Sequence, residues 1–513
     1  MPIILATINA RFSHASLGLR YLHANMKELA EKTEIMEFTN QQKNEEILEE
    51  IISRNPKIIG FGVYIWNIES LTCLVQDLKA LKPEILIVLG GPEISYEYEE
   101  EPIFKACDHI ITGWGDISFH ALCQNYLDQK NISLPKVIHG IQPPLSDIKF
   151  PYHLYTDEDL KHRVIYIEAS RGCPFKCAFC LSSLDQTSWY FPQEPFFEQV
   201  RILYQRGLRR FKFVDRTFNL KKEYTNRLLD FFLKMNDLNP EDPVFLHFEL
   251  VPDFLSEDFK ERILRFPPGS LQFEIGIQSL NPVTQDIITR KTNLEKAEKN
   301  IRWLSQHTKT HLHVDLIAGL PEEDLESFAK GFNTLWSWKP QEIQLGILKR
   351  LKGIPLNSIT VDKGFVFSRE PPYTVLTSDQ MNFQTLCRIK RMAKYWDLIV
   401  NSGRFHETVP ALLGQDAFAA MLALSDWLFQ QIGRSHSIAL ERLFFYIFRY
   451  LSEEKEFSIA YAQALLVQDY IKTENKSWPE FLGPKPKEHI KQIIVSSKKD
   501  NILKRQRIHS RNN

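Results

Sequence analysis

Short apolar runs alternate with amphipathic stretches along the first 120 residues. The runs are mostly β-branched or aromatic: "IILAT" (3–7), "EIMEF" (34–38), "KIIGFGV" (57–63), "ILIVLG" (85–90) and "HIITG" (109–113). Between the first two runs, Leu19, Leu22, Met26 and Leu29 recur at helical spacing. Continuous apolar strands that alternate with helices are typical of a parallel sheet with helices on both faces. The pattern therefore predicts an N-terminal α/β domain with a Rossmann-like parallel sheet.

The same alternation returns in the middle of the chain. The candidate strands are "RVIYIEA" (163–169), "RFKFVD" (210–215), "VFLHFEL" (244–250), "LQFEIGI" (271–277), "HLHVDLIA" (311–318) and "EIQLGIL" (342–348). Six β/α units predict a partial (β/α)6 barrel with its chemistry at the carboxyl ends of the strands. Further on, runs such as "DAFAAMLALSDWLFQQI" and "ALERLFFYIFRYL" have helical spacing and predict a mainly α-helical region.

These patterns divide the chain into four segments. We predict a Rossmann-like domain at 1–140, a proline-containing linker at 141–162, the barrel at 163–372 and a helical domain at 373–513. The last segment ends in the basic tail "KKDNILKRQRIHSRNN". A terminal charge run of this kind is typical of a solvated, frayed end.

Composition narrows the functional classes. The 513 residues are 43% hydrophobic, which is enough for buried cores. The chain has 63 basic and 64 acidic residues, so its net charge favours neither nucleic acid nor a membrane surface as a partner. No basic leader precedes the first apolar run, and no run reaches the ~18 residues of a membrane span. Four cysteines are scattered singly: Cys73, Cys107, Cys123 and Cys387. The sequence therefore favours a reducing, cytoplasmic setting without disulfides.

Glycines follow three of the predicted N-terminal strands. They are Gly60 and Gly62, Gly90 and Gly91, and Gly113 and Gly115. In open parallel sheets, ligands lie beyond the carboxyl ends of the strands, where glycine lets the backbone approach them closely. The pattern predicts a large ligand at this edge; the alternative is that the glycines only form tight turns.

Three of the seven cysteines lie within eight residues, in "CPFKCAFC". Cys173, Cys177 and Cys180 follow the first barrel strand with the spacing C-x3-C-x2-C. A structural zinc site needs four ligands, and the nearest histidines, His153 and His162, precede the strand. An iron–sulfur cubane held by three cysteines keeps one iron open. The spacing favours such a cluster, with the open position left for a ligand that reacts there.

Here the sequence resembles the radical SAM superfamily, in the branch with an N-terminal cobalamin-binding domain. The resemblance starts from Cys173, Cys177 and Cys180, with the aromatic Phe179 before the last cysteine. Strand-end motifs extend it: "FKFVDRTFN", "LHFELVP", "FEIGIQSLNPVTQDIITRK", "HVDLIAGLPEED" and "LKRLKGIPL". At the N-terminus, "SLGLRYLHA", "VLGGPEIS" and "ITGWGD" are similar to the first helix and glycine loops of that branch. The helical C-terminal part looks like that of an uncharacterised subgroup.

The resemblance implies three cofactors: a [4Fe–4S] cluster on the three cysteines, S-adenosylmethionine on its open iron, and a cobalamin. Reductive cleavage of S-adenosylmethionine would give a 5′-deoxyadenosyl radical, with electrons from a donor such as flavodoxin or ferredoxin. Candidate contacts to S-adenosylmethionine are Asp215, Glu249, Gln278 and Ser279, because an ammonium and a diol need polar acceptors. Glu274 is predicted to be structural. Candidate cobalamin contacts are Gly62, Gly90, Gly91, Gly113, Gly115 and His14.

The sequence departs from the family at the lower cobalt ligand. Members with a histidine ligand carry D-x-H-x-x-G, whereas the loop here reads "NARFSHASLG", with no aspartate two residues before His14. A metal-bound imidazole normally needs a second-shell acceptor on its other nitrogen. We therefore expect His14 not to be an indispensable cobalt ligand.

Three functions compete at this stage. The first is a cobalamin-dependent radical SAM enzyme that methylates an unactivated carbon. The second uses the same cofactors for cyclisation, rearrangement or oxidation, and the third is a non-catalytic corrinoid and iron–sulfur sensor. A tRNA methylthiotransferase is disfavoured, because the N-terminal cysteines do not cluster. The sequence specifies neither the substrate, beyond a small or unknown molecule, nor the oligomeric state or the role of the helical domain.

Overall fold

The computed structural model describes residues 2–128, 134–473 and 477–486. The N-terminal part forms one parallel sheet with strand order β2-β1-β3-β4-β5-β6. Its strands are β1 (Ile3–Asn9), β2 (Thr33–Thr39), β3 (Ile58–Gly62), β4 (Leu86–Gly90), β5 (His109–Thr112) and β6 (Val137–His139). Its helices are α1 (Leu17–Ala24), α2 (Asn44–Ser53), α3 (Ile68–Leu81), α4 (Pro102–Ala106) and α5 (Ser118–Leu127). The sequence did not predict β6, because its short edge strand is half-buried or exposed and carries no apolar run.

The barrel follows helix α6 (Asp157–His162). Its sheet is parallel and open, with strand order β14-β13-β12-β11-β10-β7. The strands are β7 (Tyr166–Ile167), β10 (Arg210–Phe213), β11 (Phe245–Leu250), β12 (Leu271–Gln278), β13 (His311–Ala318) and β14 (Glu342–Ile347), with a separate hairpin of β8 (Ser170–Arg171) and β9 (Trp189–Tyr190). The helices are α7 (Gln193–Gln205), α8 (Lys222–Leu238), α9 (Glu257–Leu264), α10 (Pro282–Ile287), α11 (Leu294–His307), α12 (Leu325–Ser337) and α13 (Leu356–Thr360).

Strand β7 is shorter than the run at 163–169 predicts. The carbonyl of Ala169 accepts hydrogen bonds from the Tyr224 hydroxyl and the Phe191 amide, so the chain has left the barrel ladder there. It turns into β8, and the cysteine loop lies between β8 and its antiparallel partner β9.

The C-terminal region is mainly helical, as predicted. It comprises a small hairpin of β15 (Val366–Phe367) and β16 (Val375–Thr377), then α14 (Phe383–Trp396), α15 (Val409–Leu413), α16 (Ala417–Ile432), α17 (Leu440–Arg449) and α18 (Ile459–Ile471). Helix α16 shows why the sequence signals work: the Asp416 side chain accepts from the Ala419 amide at its start, and Gly433 ends it in a left-handed conformation. The predicted basic tail lies outside the described residues.

Neighbouring segments cover both edges of the open barrel. At the first edge, the Val164 amide donates to the Ser13 carbonyl of the N-terminal domain at 2.7 Å. At the other, the Asn401 side chain bonds both the amide and the carbonyl of Ile343, at 3.2 and 3.0 Å. A side-chain amide thus replaces a missing strand at β14, and each exposed edge is protected from further pairing.

The predicted fold class is confirmed: a parallel Rossmann-like sheet, an open six-stranded barrel and a helical C-terminal region. The exact segment boundaries remain predictions. Among the residues that the structure describes, no helix is long and apolar enough to cross a bilayer.

Candidate active site

The three clustered cysteines line one cavity of about 290 Å³ at the carboxyl ends of the barrel strands. Backbone hydrogen bonds hold their loop: the Cys173 amide donates to the Asp185 carbonyl at 3.2 Å, and the Cys180 amide to the Cys177 carbonyl at 3.1 Å. Ala178, between the ligating positions, bonds Ile288 and Leu356 on two other barrel loops. The loop is therefore fixed from several sides before any cofactor binds.

The chemistry of the three thiols suits an iron–sulfur cluster. In the described part of the chain, no three His, Cys, Asp or Glu side chains converge to hold one metal ion. Thiolates that bind different irons of a cubane do not need to converge on one point. The Arg290 guanidinium lies 3.4 Å from the Cys177 sulfur. Burial, with smaller contributions from the neighbouring thiols of Cys180 and Cys177, raises the pKa of Cys173.

Two of the four predicted S-adenosylmethionine contacts line this cavity: Glu249 and Gln278. Glu249 accepts a hydrogen bond from Arg216 at 2.8 Å. Gln278 ends β12 with a positive φ of 72°, a rare conformation for a residue with a side chain, and its amide oxygen is buried without a hydrogen bond. The cavity thus offers an ion-paired carboxylate and an amide, both of which can face a polar ligand.

The other two predicted contacts, Asp215 and Ser279, do not line this cavity, and their contact with S-adenosylmethionine remains a prediction. Asp215 is 2% exposed, and its carboxylate accepts hydrogen bonds from the Ala169 amide and the Ser170 hydroxyl, which anchors the start of the cysteine loop. Burial raises the pKa of Asp215 to about 7 despite these bonds. Ser279 is 1% exposed and donates to Glu323. Both residues support loops from behind the cavity.

Four further acidic and basic residues line the cavity and were not among the predicted contacts. Glu274, predicted to be structural, lines the cavity, as do Arg216, Arg290 and Asp315. Glu274 lies 2.8 Å from His247 Nε2 and accepts a hydrogen bond from Lys212 at 3.5 Å. Burial opposes its ionisation, but the neighbouring His247, Lys212 and His313 hold the Glu274 pKa well below its usual range. The sequence signal that could have identified Glu274 and Asp315 is the presence of polar residues at alternate positions of otherwise apolar strands.

A second cavity, of about 380 Å³, lies at the carboxyl edge of the N-terminal sheet. Its walls come from the ends of β3, β4 and β5, from α1 and α5, and from Glu168 and Arg171 of the barrel. Four of the five predicted glycine contacts line it: Gly90, Gly91, Gly113 and Gly115. Gly62 does not, and Gly60 lines it instead. The Gly62 carbonyl accepts from Thr7 and Asn67, so this backbone is tied to the sheet.

This second cavity suits a bulky group with an apolar body and a polar rim. An added Cβ at Gly113 would meet no heavy atom within 4 Å, and one at Gly90 would meet only the Ile111 carbonyl at 3.6 Å. Apolar side chains form most of the wall: Leu17, Leu19, Leu22, Phe61, Val88, Leu89, Ile111 and Phe119. The residues present therefore fit a bulky, largely apolar group such as a cobalamin.

His14 lies outside both cavities. Its Nδ1 is 2.6 Å from the Tyr166 hydroxyl, and the two rings stack at 6.1 Å between centroids. Burial, together with Lys212, Arg11 and Arg163, lowers the pKa of His14. The imidazole is engaged at the seam between the N-terminal domain and the barrel. That His14 is not an indispensable cobalt ligand remains a prediction.

Hydrogen bonds connect the linings of the two cavities. Arg171, two residues before Cys173, bonds Asp116 of the N-terminal domain and Glu168 of the barrel, each at 2.9 Å. Asp185 bridges the same gap: its carboxylate accepts from the Trp114 indole at 2.7 Å, while its carbonyl accepts from the Cys173 amide. Groups bound in the two cavities would therefore face each other across a few side chains.

This combination defines the class of protein: a glycine-edged parallel sheet packed beside an open barrel that carries a three-cysteine loop. Family models agree over most of the chain. Residues 3–123 match the B12 binding domain, residues 167–335 the radical SAM superfamily, and residues 362–513 a family described as a protein of unknown function, DUF4080. The chain therefore carries a B12-binding domain followed by a radical SAM domain.

Individual relatives point the same way. An uncharacterized methyltransferase of Pyrococcus horikoshii is 26% identical to this chain, over 60% of this chain and 70% of the length of the methyltransferase. The cobalamin-dependent radical SAM methyltransferase TokK of Streptomyces tokunonensis is 22% identical over 59% of this chain, which spans only 48% of TokK. The fold also matches the cobalamin-dependent S-adenosylmethionine radical enzyme OxsB, with a TM-score of 0.62, 12% identity, and coverage of 99% of this chain and 80% of OxsB. The predicted enzyme class and its three cofactors are confirmed.

Proposed function

We propose that this enzyme transfers a methyl group to a carbon atom of a small-molecule substrate, in the cytoplasm, with electrons from a flavodoxin or ferredoxin. The direct link between the linings of the two cavities carries the proposal. Asp185 accepts from the Trp114 indole on the cobalamin side and from the Cys173 amide on the cysteine side. A methyl group on one cofactor can reach a substrate radical made by the other only if the two sites lie side by side.

The cofactors supply radical generation and the methyl carrier, and the protein supplies binding and orientation. Cys173, Cys177 and Cys180 would hold the cluster, each on a different iron. Glu249 and Gln278 would face the polar groups of S-adenosylmethionine, with Arg216 fixing the Glu249 carboxylate at 2.8 Å. The walls of this cavity also limit the access of bulk water to the reacting centre.

In the N-terminal cavity, Gly90, Gly91, Gly113 and Gly115 would let the backbone approach the corrin closely. Arg171 stacks on the Trp114 ring, 4.7 Å from its centroid, and its two carboxylate partners hold its charge in place. The guanidinium thus fixes the rim of this cavity against the barrel.

Glu249→Gln should weaken S-adenosylmethionine binding without emptying the cluster. Loss of a charge-assisted hydrogen bond corresponds to about a ten-fold loss of affinity or more. Equilibrium dialysis of the reconstituted variant, with iron analysis of the same sample, measures both quantities. Asp215→Asn is the control: it lies behind the cavity, so it should lower the unfolding temperature and leave the affinity unchanged. Equal affinity in wild type and Glu249→Gln would remove Glu249 from the site.

Product analysis tests the proposed reaction. Dithionite-reduced holoenzyme with substrate should release S-adenosylhomocysteine together with 5′-deoxyadenosine. The first product reports recharging of the methyl carrier and the second reports radical formation. Release of 5′-deoxyadenosine alone would indicate cyclisation, rearrangement or oxidation, and release of neither would indicate a sensor.

A further inference from the structure

The loop after β4 carries a buried carboxylate next to the N-terminal cavity. Gly90 and Gly91 line that cavity, and Glu93 follows them after a single proline. The Glu93 side chain is 5% exposed. Burial raises the pKa of Glu93, and Lys352 and Tyr373 oppose that rise. A buried carboxylate is tolerated only with charged or hydrogen-bonding partners, so the position of this loop depends on them.

Both partners of Glu93 come from the chain beyond the last barrel strand, β14. Lys352 Nζ lies 3.2 Å from Glu93 Oε1 and donates to the Glu93 carbonyl at 3.2 Å. The same ammonium group donates to Glu101 at 2.6 Å, and the Lys352 side chain is 5% exposed. The Tyr373 hydroxyl donates to Glu93 Oε1 at 2.8 Å. The loop is thus held by its backbone and by its side chain.

Tyr373 belongs to the part of the chain that matches the family of unknown function, which begins at residue 362. It lies between β15 and β16, and its carbonyl accepts from the Arg350 amide at 2.9 Å. Two residues on, the Val375 amide donates to the Leu348 carbonyl at 2.8 Å. Tyr373 has a positive φ of 52°, which is uncommon for a residue with a side chain. The hairpin therefore brings a constrained tyrosine to the N-terminal domain.

A second carboxylate of the same loop is bound by the same part of the barrel. Glu97 Oε1 accepts from the Gly353 amide and from Asn357 Nδ2, each at 2.9 Å. Its Oε2 accepts from Arg350 at 2.6 Å. Gly353 has a φ of 78°, and a Cβ there would lie 2.4 Å from the Tyr96 ring. Close packing and hydrogen bonds therefore hold this loop at several points along its length.

These contacts lie at the barrel edge where the chain itself does not join the two domains. The chain enters the barrel at β7, and β7 and β14 are the two ends of the barrel sheet. Beyond β14, noncovalent contacts alone can keep the loop against the barrel. Without Lys352, the Glu93 carboxylate would be buried without its cation, and the loop would gain by moving towards water.

We propose that Lys352 and Tyr373 are positioning residues for cobalamin. By holding Glu93, they keep the Gly90–Gly91 wall of the N-terminal cavity in place. The β15–β16 hairpin, in a region of unknown function, thereby takes part in cofactor binding. This inference rests on cobalamin occupying the N-terminal cavity, and it is independent of methyl transfer.

The rate at which cobalamin leaves the full-length protein tests this role. The protein is reconstituted anaerobically with hydroxocobalamin and desalted, and the cobalt that remains bound is followed over time. Lys352→Met should accelerate the loss at least ten-fold, and Tyr373→Phe, which removes one hydrogen bond, should accelerate it several-fold. Adding Glu93→Gln to Lys352→Met should restore much of the retention, because a neutral amide does not need the cation. Iron content should stay at the wild-type value in all three variants.

Tyr395→Phe is the matched control. The Tyr395 hydroxyl donates to the Arg434 carbonyl at 2.9 Å within the helical region, so this variant also loses one hydrogen bond of a tyrosine. It should release cobalamin at the wild-type rate. Equal acceleration in Tyr395→Phe and Tyr373→Phe would reduce the effect to overall stability and overturn the proposal.

Tyr373→Phe keeps the test decisive even if Lys352→Met fails to fold. Release at the wild-type rate from Tyr373→Phe would overturn the proposal. Gly90→Leu distinguishes this failure from failure of the site itself. Normal cobalamin retention in Gly90→Leu would place the cofactor elsewhere, and the positioning role would fail with the site.

Discussion

Replacing Cys173, Cys177 and Cys180 together by alanine should give a folded protein that binds no iron. Wild type, reconstituted anaerobically, should carry about four irons and show the brown absorption of a [4Fe–4S] cluster. The three thiols are the cysteines of the barrel cavity, and their loop is held by backbone bonds that alanine does not remove. Radical formation depends on the cluster, so 5′-deoxyadenosine release should fall to background.

Cys387→Ala is the matched control. Cys387 lies half-buried on α14, away from the cavity, and its removal should leave iron content and cleavage unchanged. Unfolding temperature and circular dichroism check that the triple variant is still folded. Full iron content in that variant would remove the cluster from this loop.

Gly90→Leu should abolish cobalamin retention while the N-terminal domain stays folded. The new Cβ would make only an ordinary 3.6 Å contact with the Ile111 carbonyl, so the backbone tolerates it. The rest of the leucine would occupy part of the cavity of about 380 Å³ that the cobalamin needs. Cobalt content after anaerobic reconstitution and desalting should fall at least ten-fold.

His14→Ala should behave in the opposite way. The imidazole is bonded to Tyr166 and lies outside the cavity, so its loss should leave the cobalt content and the visible spectrum of the corrinoid nearly unchanged. A changed spectrum and sharply reduced retention in His14→Ala would make it the lower ligand. Normal retention in Gly90→Leu would place cobalamin elsewhere.

Hydrophobic patterning was sufficient for the architecture, because buried parallel strands are continuous apolar runs. The runs at 3–7, 57–63 and 85–90 each correspond to a strand of the N-terminal sheet. Strand β6 escaped because an exposed edge strand needs no apolar run. The cysteine loop was also readable, because metal ligation requires particular residue types at short spacing.

Side-chain direction was not readable, so the sequence did not indicate which of the candidate residues line the cavity. Asp215 and Arg216 are adjacent, yet Arg216 lines the cavity while Asp215 is turned towards Ala169 and Ser170. At the end of a strand, a shift of one residue moves a side chain to the opposite face. Glu274 and Asp315 depend in the same way on the pleat of the assembled barrel. Gly62 does not line the N-terminal cavity. Its carbonyl accepts hydrogen bonds from Thr7, which is distant in sequence, and from Asn67, which lies in the following turn.

The central claim is that one chain holds a radical-generating cluster and a cobalamin in adjoining cavities. Iron and cobalt determined together on one anaerobically reconstituted, desalted sample test it most directly. The account predicts about four irons and about one cobalt per chain, with iron lost only in the triple cysteine variant and cobalt lost only in Gly90→Leu. A protein that carries its iron, cleaves S-adenosylmethionine and transfers methyl groups with no cobalt bound would contradict it.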